Sequence, residues 1–137
     1  MGLYLTIFDG DEELDGVEVG SYGDFATFRS AVAIHVEGGV AGSRCPTLMD
    51  HSDCDGLWSP KESALLQSEL TLIVQAFMEM PPEPLGDGWK AEVAKMFGLQ
   101  PANLYESFFD VDGEPLLDRL MGLAQVSVER NLPILFQ

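Results

Sequence analysis

The chain has 137 residues, of which 46% are hydrophobic, 23 are acidic and 7 are basic, giving a formal net charge of −16. This length and hydrophobic content predict one domain, residues 1–137, with a core large enough to fold without disulfides. The negative charge repels nucleic-acid phosphates and anionic membranes, so it argues against both as partners and favours a basic protein.

The N-terminal residues predict a strand rather than a targeting segment. Residues 1–8 have no basic region and turn acidic at Asp9. They fit neither a signal peptide nor a transmembrane span, so a cytoplasmic location is expected. Residues 3–8 alternate and are rich in β-forming side chains, with apolar residues on both faces, which is typical of a central strand.

An acidic hairpin is predicted next. Residues 9–13 read DGDEE and predict an exposed turn, and residues 14–19 predict a short second strand paired with the first. Seven acidic residues and no basic residue occur from Asp9 to Asp24. This hairpin, with Asp11, Glu12 and Glu13, is therefore expected to be the largest single source of negative charge on the surface.

A first helix follows the hairpin. The segment from Ser21 to Asp24 is typical of a helix entry, and apolar residues then recur at helical spacing to about Glu37. Glycines 38 and 39 end this helix. After a further loop, residues 47–49 predict a short strand.

The clearest start signal belongs to the second helix. Ser59 and Glu62 flank Pro60 in a capping box, which predicts that a helix of about five turns begins at Pro60. The apolar pattern of this helix comprises Leu65, Leu66, Leu70, Ile73, Phe77 and Met80. We expect Leu66, Leu70, Ile73 and Phe77 in the core.

The C-terminal half combines helices and short strands. Prolines within residues 81–84 end the long helix, residues 89–97 predict a helix that Gly98 ends, and residues 101–104 predict a further helical turn. Residues 107–111 and 132–136 predict strands on either side of a helix that Glu114 opens. The apolar face of that helix carries Leu116, Leu117, Leu120, Leu123, Ala124 and Val128. The whole order predicts an α+β fold with a mixed sheet packed by about four helices.

The polar segment at residues 50–56, DHSDCDG, resembles part of a calcium-binding loop. With Gly56 at position six, Asp53 falls at position three, Asp55 at position five and Glu62 at position twelve. However, position one is His51, a poor ligand for a hard cation, and the capping box also needs Glu62. Calcium binding by residues 51–62 is therefore the alternative hypothesis. The preferred one is a metal-free turn in which Asp53 or Asp55 caps neighbouring amides.

No catalytic or cofactor site is predicted. Cys54, His51 and Asp53 are sequence neighbours, and three adjacent loop side chains rarely converge as nucleophile, base and orienting group. Cys45 and Cys54 do not have zinc-ligand spacing and are expected to be free thiols. The chain also contains no phosphate-binding glycine loop and no GxSxG motif, so its sequence supports neither an enzyme nor a cofactor.

Four segments of the chain resemble a known family. They are the opening GLYLTIFDGDEELDGVEVGSYGDF, the middle HSDCDGLWSPKE and, near the end, FFDVDGEPLLDRL and NLPILFQ. Together they resemble the immunity protein 70 family of bacterial polymorphic toxin systems over nearly the full chain. The resemblance implies a cytoplasmic antidote without catalytic activity. Such an antidote binds the toxic C-terminal domain of a secreted effector and protects the producing cell from its siblings.

The implied partner is a basic toxin domain, with a nuclease as one candidate, because toxins of this kind are often nucleases with basic clefts. The expected toxin-binding residues are Asp11, Glu12, Glu13, Asp50, Asp53, Asp55 and Trp58. The acids belong to the densest acidic segments outside the predicted helices, and binding residues tend to lie on exposed loops. An apolar interface centred on Trp58 or Trp89 is the competing hypothesis. The sequence predicts neither the toxin's activity nor the oligomeric state.

Overall fold

The computed structural model describes residues 2–137, which form one four-stranded sheet and six helices. The strands are β1 (Gly2–Asp9), β2 (Glu12–Ser21), β3 (Leu57–Trp58) and β4 (Ile134–Phe136). The helices are α1 (Tyr22–His35), α2 (Pro46–Met49), α3 (Pro60–Met78), α4 (Trp89–Phe97), α5 (Leu104–Ser107) and α6 (Leu116–Arg130). Within these residues, no helix is both long and apolar enough to cross a lipid bilayer.

The α+β fold is confirmed, and α1, α3, α4 and α6 are its four longer helices. The strands lie in the order β2-β1-β4-β3, and all three pairings are antiparallel. The sheet is therefore antiparallel, and the mixed sheet predicted from the sequence is wrong. Within residues 2–137, no helix connects two neighbouring parallel strands.

The β1–β2 hairpin is the longest part of the sheet and carries the acidic segment. Gly10 lies in its turn at φ +63°, a left-handed conformation that glycine adopts without steric cost. The pairing register shifts at two points, where β2 bulges. Strand β2 begins two residues earlier than predicted, so Glu12 and Glu13 lie in the strand and not in the turn.

Helices cover one face of the sheet. Leu3, Leu5 and Ile7 of β1 are at most 1% exposed and belong to the same hydrophobic cluster as buried residues of α1, α3 and α6. Tyr4 and Phe8, which alternate with them, are partly exposed. We call this second side of the sheet the open face. On this side lie Tyr4 and Phe8 of β1, Glu13, Gly16 and Glu18 of β2, Leu135 of β4 and Leu57 of β3, and Thr6 of β1 lies buried among them.

The helix starts of α1 and α3 are confirmed in detail. The hydroxyl of Ser21 accepts from the amide of Asp24 at 3.0 Å, and the Asp24 carboxylate accepts from the Ser21 amide at 2.7 Å. Ser59 and Glu62 make the same exchange at α3, at 3.0 and 3.1 Å. Each exchange satisfies two amides that the helix itself leaves without partners.

The predicted core face of α3 is also confirmed, since Leu66, Leu70, Ile73 and Phe77 are all 0% exposed. Leu65 is 54% exposed, because one residue corresponds to about 100° of helical rotation and turns it away from Leu66. Val128 of α6 is 40% exposed, so its placement on the buried face is wrong. Ser127 is buried in its stead and donates to the Ser63 hydroxyl at 2.8 Å.

Residues 47–49 form helix α2, so the strand predicted there is wrong. Pro46 suits the first position of a helix. The carboxylate of Glu69, in the middle of α3, accepts from the amides of Thr47 at 3.1 Å and Leu48 at 3.0 Å. A side chain from a distant helix therefore caps α2, and local sequence patterns do not reveal such a contact.

The strand predicted at residues 107–111 is wrong as well. Residues 104–107 form α5, and the chain then turns around the carboxylate of Asp110, which is 1% exposed. Its Oδ1 accepts from the amides of Asp112 and Glu114, both at 3.0 Å, and Arg119 donates to Oδ2 at 3.3 Å. These bonds favour a closed turn over an extended strand.

The burial of α3 leads to a stability prediction. Leu70→Ala should lower the free energy of unfolding by about 2–5 kcal/mol, because it removes buried apolar surface and leaves a cavity. Chemical denaturation measures this loss. Leu65→Ala, in the same helix but exposed, is the matched control and should lose much less; equal losses would contradict the packing described.

Candidate functional site

The acidic hairpin exposes Asp11 and Glu12 at its turn and at the start of β2. Glu13 is also exposed, but its carboxylate makes internal contacts. It accepts from the hydroxyls of Tyr4 and Thr6, both at 2.8 Å. Asp11 and Glu12 are therefore free to meet a partner, whereas Glu13 also stabilises the hairpin.

Two buried carboxylates hold the segment that leads to loop 50–56. Glu37, just after α1, is 4% exposed and accepts from the amides of Arg44 at 3.0 Å and Cys45 at 2.9 Å. Glu69, 8% exposed, accepts from the amides of α2 as described above. The loop thus starts from a fixed position.

His51 closes the edge of the sheet. Its ring stacks on Phe136 with the centroids 4.1 Å apart. Nδ1 lies 2.7 Å from the carbonyl of Ser52, and Nε2 lies 2.9 Å from that of Leu57. Gly56, not Leu57, accepts from the amide of Phe136, so the Leu57 carbonyl points away from β4. With its proton on Nε2, His51 therefore donates to the Leu57 carbonyl, which has no partner strand at this edge of the sheet.

The aspartates of loop 50–56 face outward. The turn is capped by Ser52, whose hydroxyl accepts from the amide two residues later at 3.2 Å, and not by Asp53 or Asp55 as predicted. Asp50 and Asp55 are exposed, and Asp53 is partly exposed. Burial lowers the pKa of the neighbouring Arg29, while the charges of Asp53 and Asp50 act in the opposite direction. Arg29 thus offsets part of the loop's charge.

Trp58 does not belong to a binding surface. It is 0% exposed, its indole N–H donates to the Thr47 carbonyl at 2.9 Å, and its ring meets Phe136 edge-on at 4.7 Å. A side chain with no exposed surface cannot contact a toxin in this conformation. This burial argues against the predicted role of Trp58 in toxin binding. Strand β3, which has only two residues, places its indole in the core.

The structure places the two acidic segments at opposite corners of the sheet. Strands β2 and β3 are its two edges, about 14 Å apart by strand spacing. The hairpin turn lies beyond one end of β1. Loop 50–56 enters β3 at the other end, because Leu57 pairs with Leu135 and the chain before it runs towards the C-terminus of β4. One partner that contacts both segments must span the sheet.

The calcium hypothesis is not supported. The Glu62 carboxylate accepts from the Ser59 amide, and both ring nitrogens of His51 face backbone carbonyls, so neither side chain converges on Asp53 and Asp55. Across residues 2–137, no three His, Cys, Asp or Glu side chains are arranged to hold a metal ion.

Calcium should therefore not affect the folded protein. We expect about 1 mM Ca²⁺, which saturates typical sensor loops, to leave the thermal unfolding temperature unchanged. A stabilisation by micromolar calcium that disappears in Asp55→Ala would show that the loop binds the ion.

A small cavity that sequence patterns did not indicate lies between α1, α4 and the residues before α6. Its volume is about 210 Å³, and Asp24, Trp89 and Lys90 are among its lining residues. The Trp89 indole donates to the Asp24 carboxylate at 2.9 Å, and the Lys90 ammonium donates to the Ser107 carbonyl at 2.6 Å. These polar groups contact neighbouring elements, so they fix α4 to the rest of the fold. Trp89 is only partly exposed, which weakens the case for it as a binding anchor.

Two ionisable side chains that line this cavity, Lys90 and Asp24, have shifted pKa values. Burial lowers the pKa of Lys90, against the attraction of Glu83 and Asp24. Burial alone raises the pKa of Asp24, but the hydrogen bonds from Trp89 and Ser21, together with the Lys90 charge, outweigh it and hold that pKa below its ordinary value. The carboxylate of Asp24 therefore stabilises the fold in its ionised form.

This gives a prediction about pH. Asp24→Asn should lower the free energy of unfolding at pH 7 by about 0.5–2 kcal/mol, the usual cost of a lost helix cap. Because the folded pKa lies below the ordinary value of 3.8, the stabilisation is complete above that value and disappears as the pH falls through the folded pKa. The difference in the free energy of unfolding between wild type and Asp24→Asn should therefore narrow in acid. Chemical denaturation at pH 7 and at a pH below the folded pKa of Asp24 measures this difference, with the exposed Asp87→Asn as control. A difference that stays the same at the two pH values would contradict the assignment.

Both cysteines are free thiols, as predicted. Burial, with the nearby charges of Glu69 and Glu37, raises the pKa of Cys45 to about 12, so it stays protonated and unreactive at neutral pH. Cys54 is exposed and lies near the hydroxyl of Ser52, at 3.6 Å. The nitrogens of His51 point to carbonyls, so they are not placed to activate this thiol.

Throughout residues 2–137, the ionisable side chains described above stabilise turns and caps or charge the surface of a small acidic α+β protein. The chain belongs to the family described as Immunity protein 70, whose model matches residues 3–136. Membership of this family implies an immunity protein of a toxin system, in agreement with the resemblance of the sequence. No curated protein and no solved structure matches the chain.

Proposed function

We propose that this protein is a non-enzymatic antidote that binds the toxic C-terminal domain of a cognate secreted effector in the cytoplasm of the producing cell. The observation that carries the proposal is the family match over residues 3–136. The charge of the chain supports a basic toxin domain as the partner, with a nuclease as one candidate, because clefts that bind phosphates are basic.

The acidic charge is available to a partner because few basic residues neutralise it. The ion pairs within residues 2–137 join Arg119 to Asp15 and Asp110, and Arg130 to Asp9. Against 23 acidic residues, these contacts leave a large excess of unpaired carboxylates. A basic domain is attracted by such a field at long range, which raises the association rate and makes it depend on salt.

Six of the residues expected from the sequence stay candidates for this contact: Asp11, Glu12, Glu13, Asp50, Asp53 and Asp55. They lie on the hairpin and on loop 50–56, and their carboxylates are at least partly exposed. Glu13 is exposed too, but its substitution would also break the bonds to Tyr4 and Thr6. It is therefore a poor choice for a binding test.

The proposal is tested with the cognate toxin domain, by binding and by rescue of cells that express the toxin. Asp11→Lys with Glu12→Lys should slow association about tenfold and flatten its salt dependence, with little change in dissociation, because rim charges act mainly on the encounter. Asp53→Lys with Asp55→Lys should act in the same way.

The matched control is Asp87→Lys with Glu92→Lys, which makes the same charge change near α4. It should slow association less. If the wild-type protein neither binds the toxin domain nor protects the cell, the proposed function is wrong. If the control slows association as much as the other pairs, the charge matters but the two acidic segments do not.

A further inference from the structure

We propose that the open face of the sheet is the surface on which the toxin domain docks, and that it receives an apolar toxin surface flanked by Arg or Lys side chains. This inference rests on the proposed function and assigns a place and a chemistry to its contact. The sequence had indicated the loops at either end, not the sheet between them.

The apolar part of the open face lies on the β3 and β4 side. Leu57 is 44% exposed, and Leu135, its direct neighbour in the register, is partly exposed. Tyr4 and Phe8 of β1 add partly exposed aromatic rings. Side chains of this kind, next to charged groups, supply the buried centre of a protein interface.

The charged part lies on the β2 side and is of one sign. None of the four strands contains Lys or Arg, so all seven basic residues lie outside the sheet. Glu13 and Glu18 are exposed on the open face, whereas Asp15 turns to the other side and pairs with Arg119. The complementary partner carries positive charge opposite β2.

The same charges argue against a second copy of this chain as the occupant. Neither copy would offer Lys or Arg from its strands to the acidic residues of the other's β2, so those charges would stay uncompensated across the interface. A net charge of −16 on each copy adds repulsion between the two copies. Charge complementarity therefore favours the cationic toxin domain.

Two side chains of the open face, Tyr4 and Thr6, are already held in place before binding. The Glu13 carboxylate holds the hydroxyls of Tyr4 and Thr6, both at 2.8 Å. The ring of Tyr4 lies over Gly16, where a Cβ would meet its hydroxyl and ring carbons. Side chains that are already fixed lose little conformational entropy when a partner docks.

The open face is too small to form the whole interface, so a docked domain also contacts neighbouring segments. From the strand lengths, it covers about 300 Å², whereas a standard interface takes about 800 Å² of each partner. The footprint must therefore extend beyond the strands. The nearest extensions are the hairpin turn at one corner and loop 50–56 at the other, so one docked domain reaches all the acidic candidates.

The test combines one charged and one apolar change on the open face, Glu18→Lys with Leu57→Arg. Neither side chain makes a hydrogen bond or ion pair within residues 2–137, so the fold should persist, and thermal unfolding checks this. We expect the dissociation constant for the cognate toxin domain to rise at least about tenfold, mainly through faster dissociation. The matched control, Glu92→Lys with Met96→Arg, changes the same residue classes on α4, where Met96 is 74% exposed, and should bind within about twofold of wild type.

A photo-crosslinking residue at position 57, compared with one at position 96, gives a second measurement that does not depend on weakened binding. Crosslinks to the toxin domain from position 57 alone support the open face. Normal binding by the open-face variant, or crosslinks from position 96 alone, would place the contact elsewhere while the proposed function stands. A wild-type dimer that Leu57→Arg converts to monomer would make the open face a self-interface. If the wild-type protein does not bind, both proposals are wrong.

Discussion

Buried carboxylates that accept from backbone amides are the interaction on which the rest of this structure depends. Glu37, Glu69 and Asp110 are at most 8% exposed, and each one accepts from two amides of a nearby segment. An ionised carboxylate inside a protein is costly unless it is hydrogen-bonded, and these bonds to a charged acceptor are stronger than neutral ones. In this chain, buried carboxylates therefore hold one loop (Glu37), one short helix (Glu69) and one turn (Asp110) in place.

By holding these segments, the buried carboxylates determine which parts of the sheet stay exposed at its edges and on its open face. Glu37 and Glu69 together hold residues 44–48, so the chain reaches β3 at one place and Trp58 enters the core. His51 then stacks on Phe136 and takes the outward carbonyl of Leu57, which completes the short edge of the sheet. On the opposite edge, the turn around Asp110 brings the amide of residue 111 to the carbonyl of residue 18. Both edges are thus occupied in part, which supports docking of the proposed partner on the open face rather than at an edge.

The sequence predicted the elements whose signals are local and missed those that depend on distant contacts. Ser59 and Glu62 are three residues apart, so their capping box was visible, and the spacing of Leu70 and its neighbours fixed the buried side of α3. Helix α2 was mistaken for a strand because its cap, Glu69, lies more than 20 residues away in sequence. Strand β3 has two residues and therefore no period to detect. Trp58 was misplaced for the same reason, since an aromatic residue in a predicted loop fits a binding anchor and a core residue equally well.

The distribution of charge ties the stability of this protein to its partner. Three of its seven basic residues join parts of the fold: Arg119 joins α6 to β2 and to the Asp110 turn, Arg130 joins the end of α6 to Asp9, and Lys90 fixes α4. The exposed acids are left to repel one another, which destabilises the compact state and is relieved by salt. A basic domain docked on the open face reduces the same repulsion. Under the proposed function, part of the binding free energy therefore comes from reducing the repulsion between acidic residues of the free protein. Because a partner that binds only the folded state stabilises it by mass action, the free protein is the less stable form and the complex the more stable one.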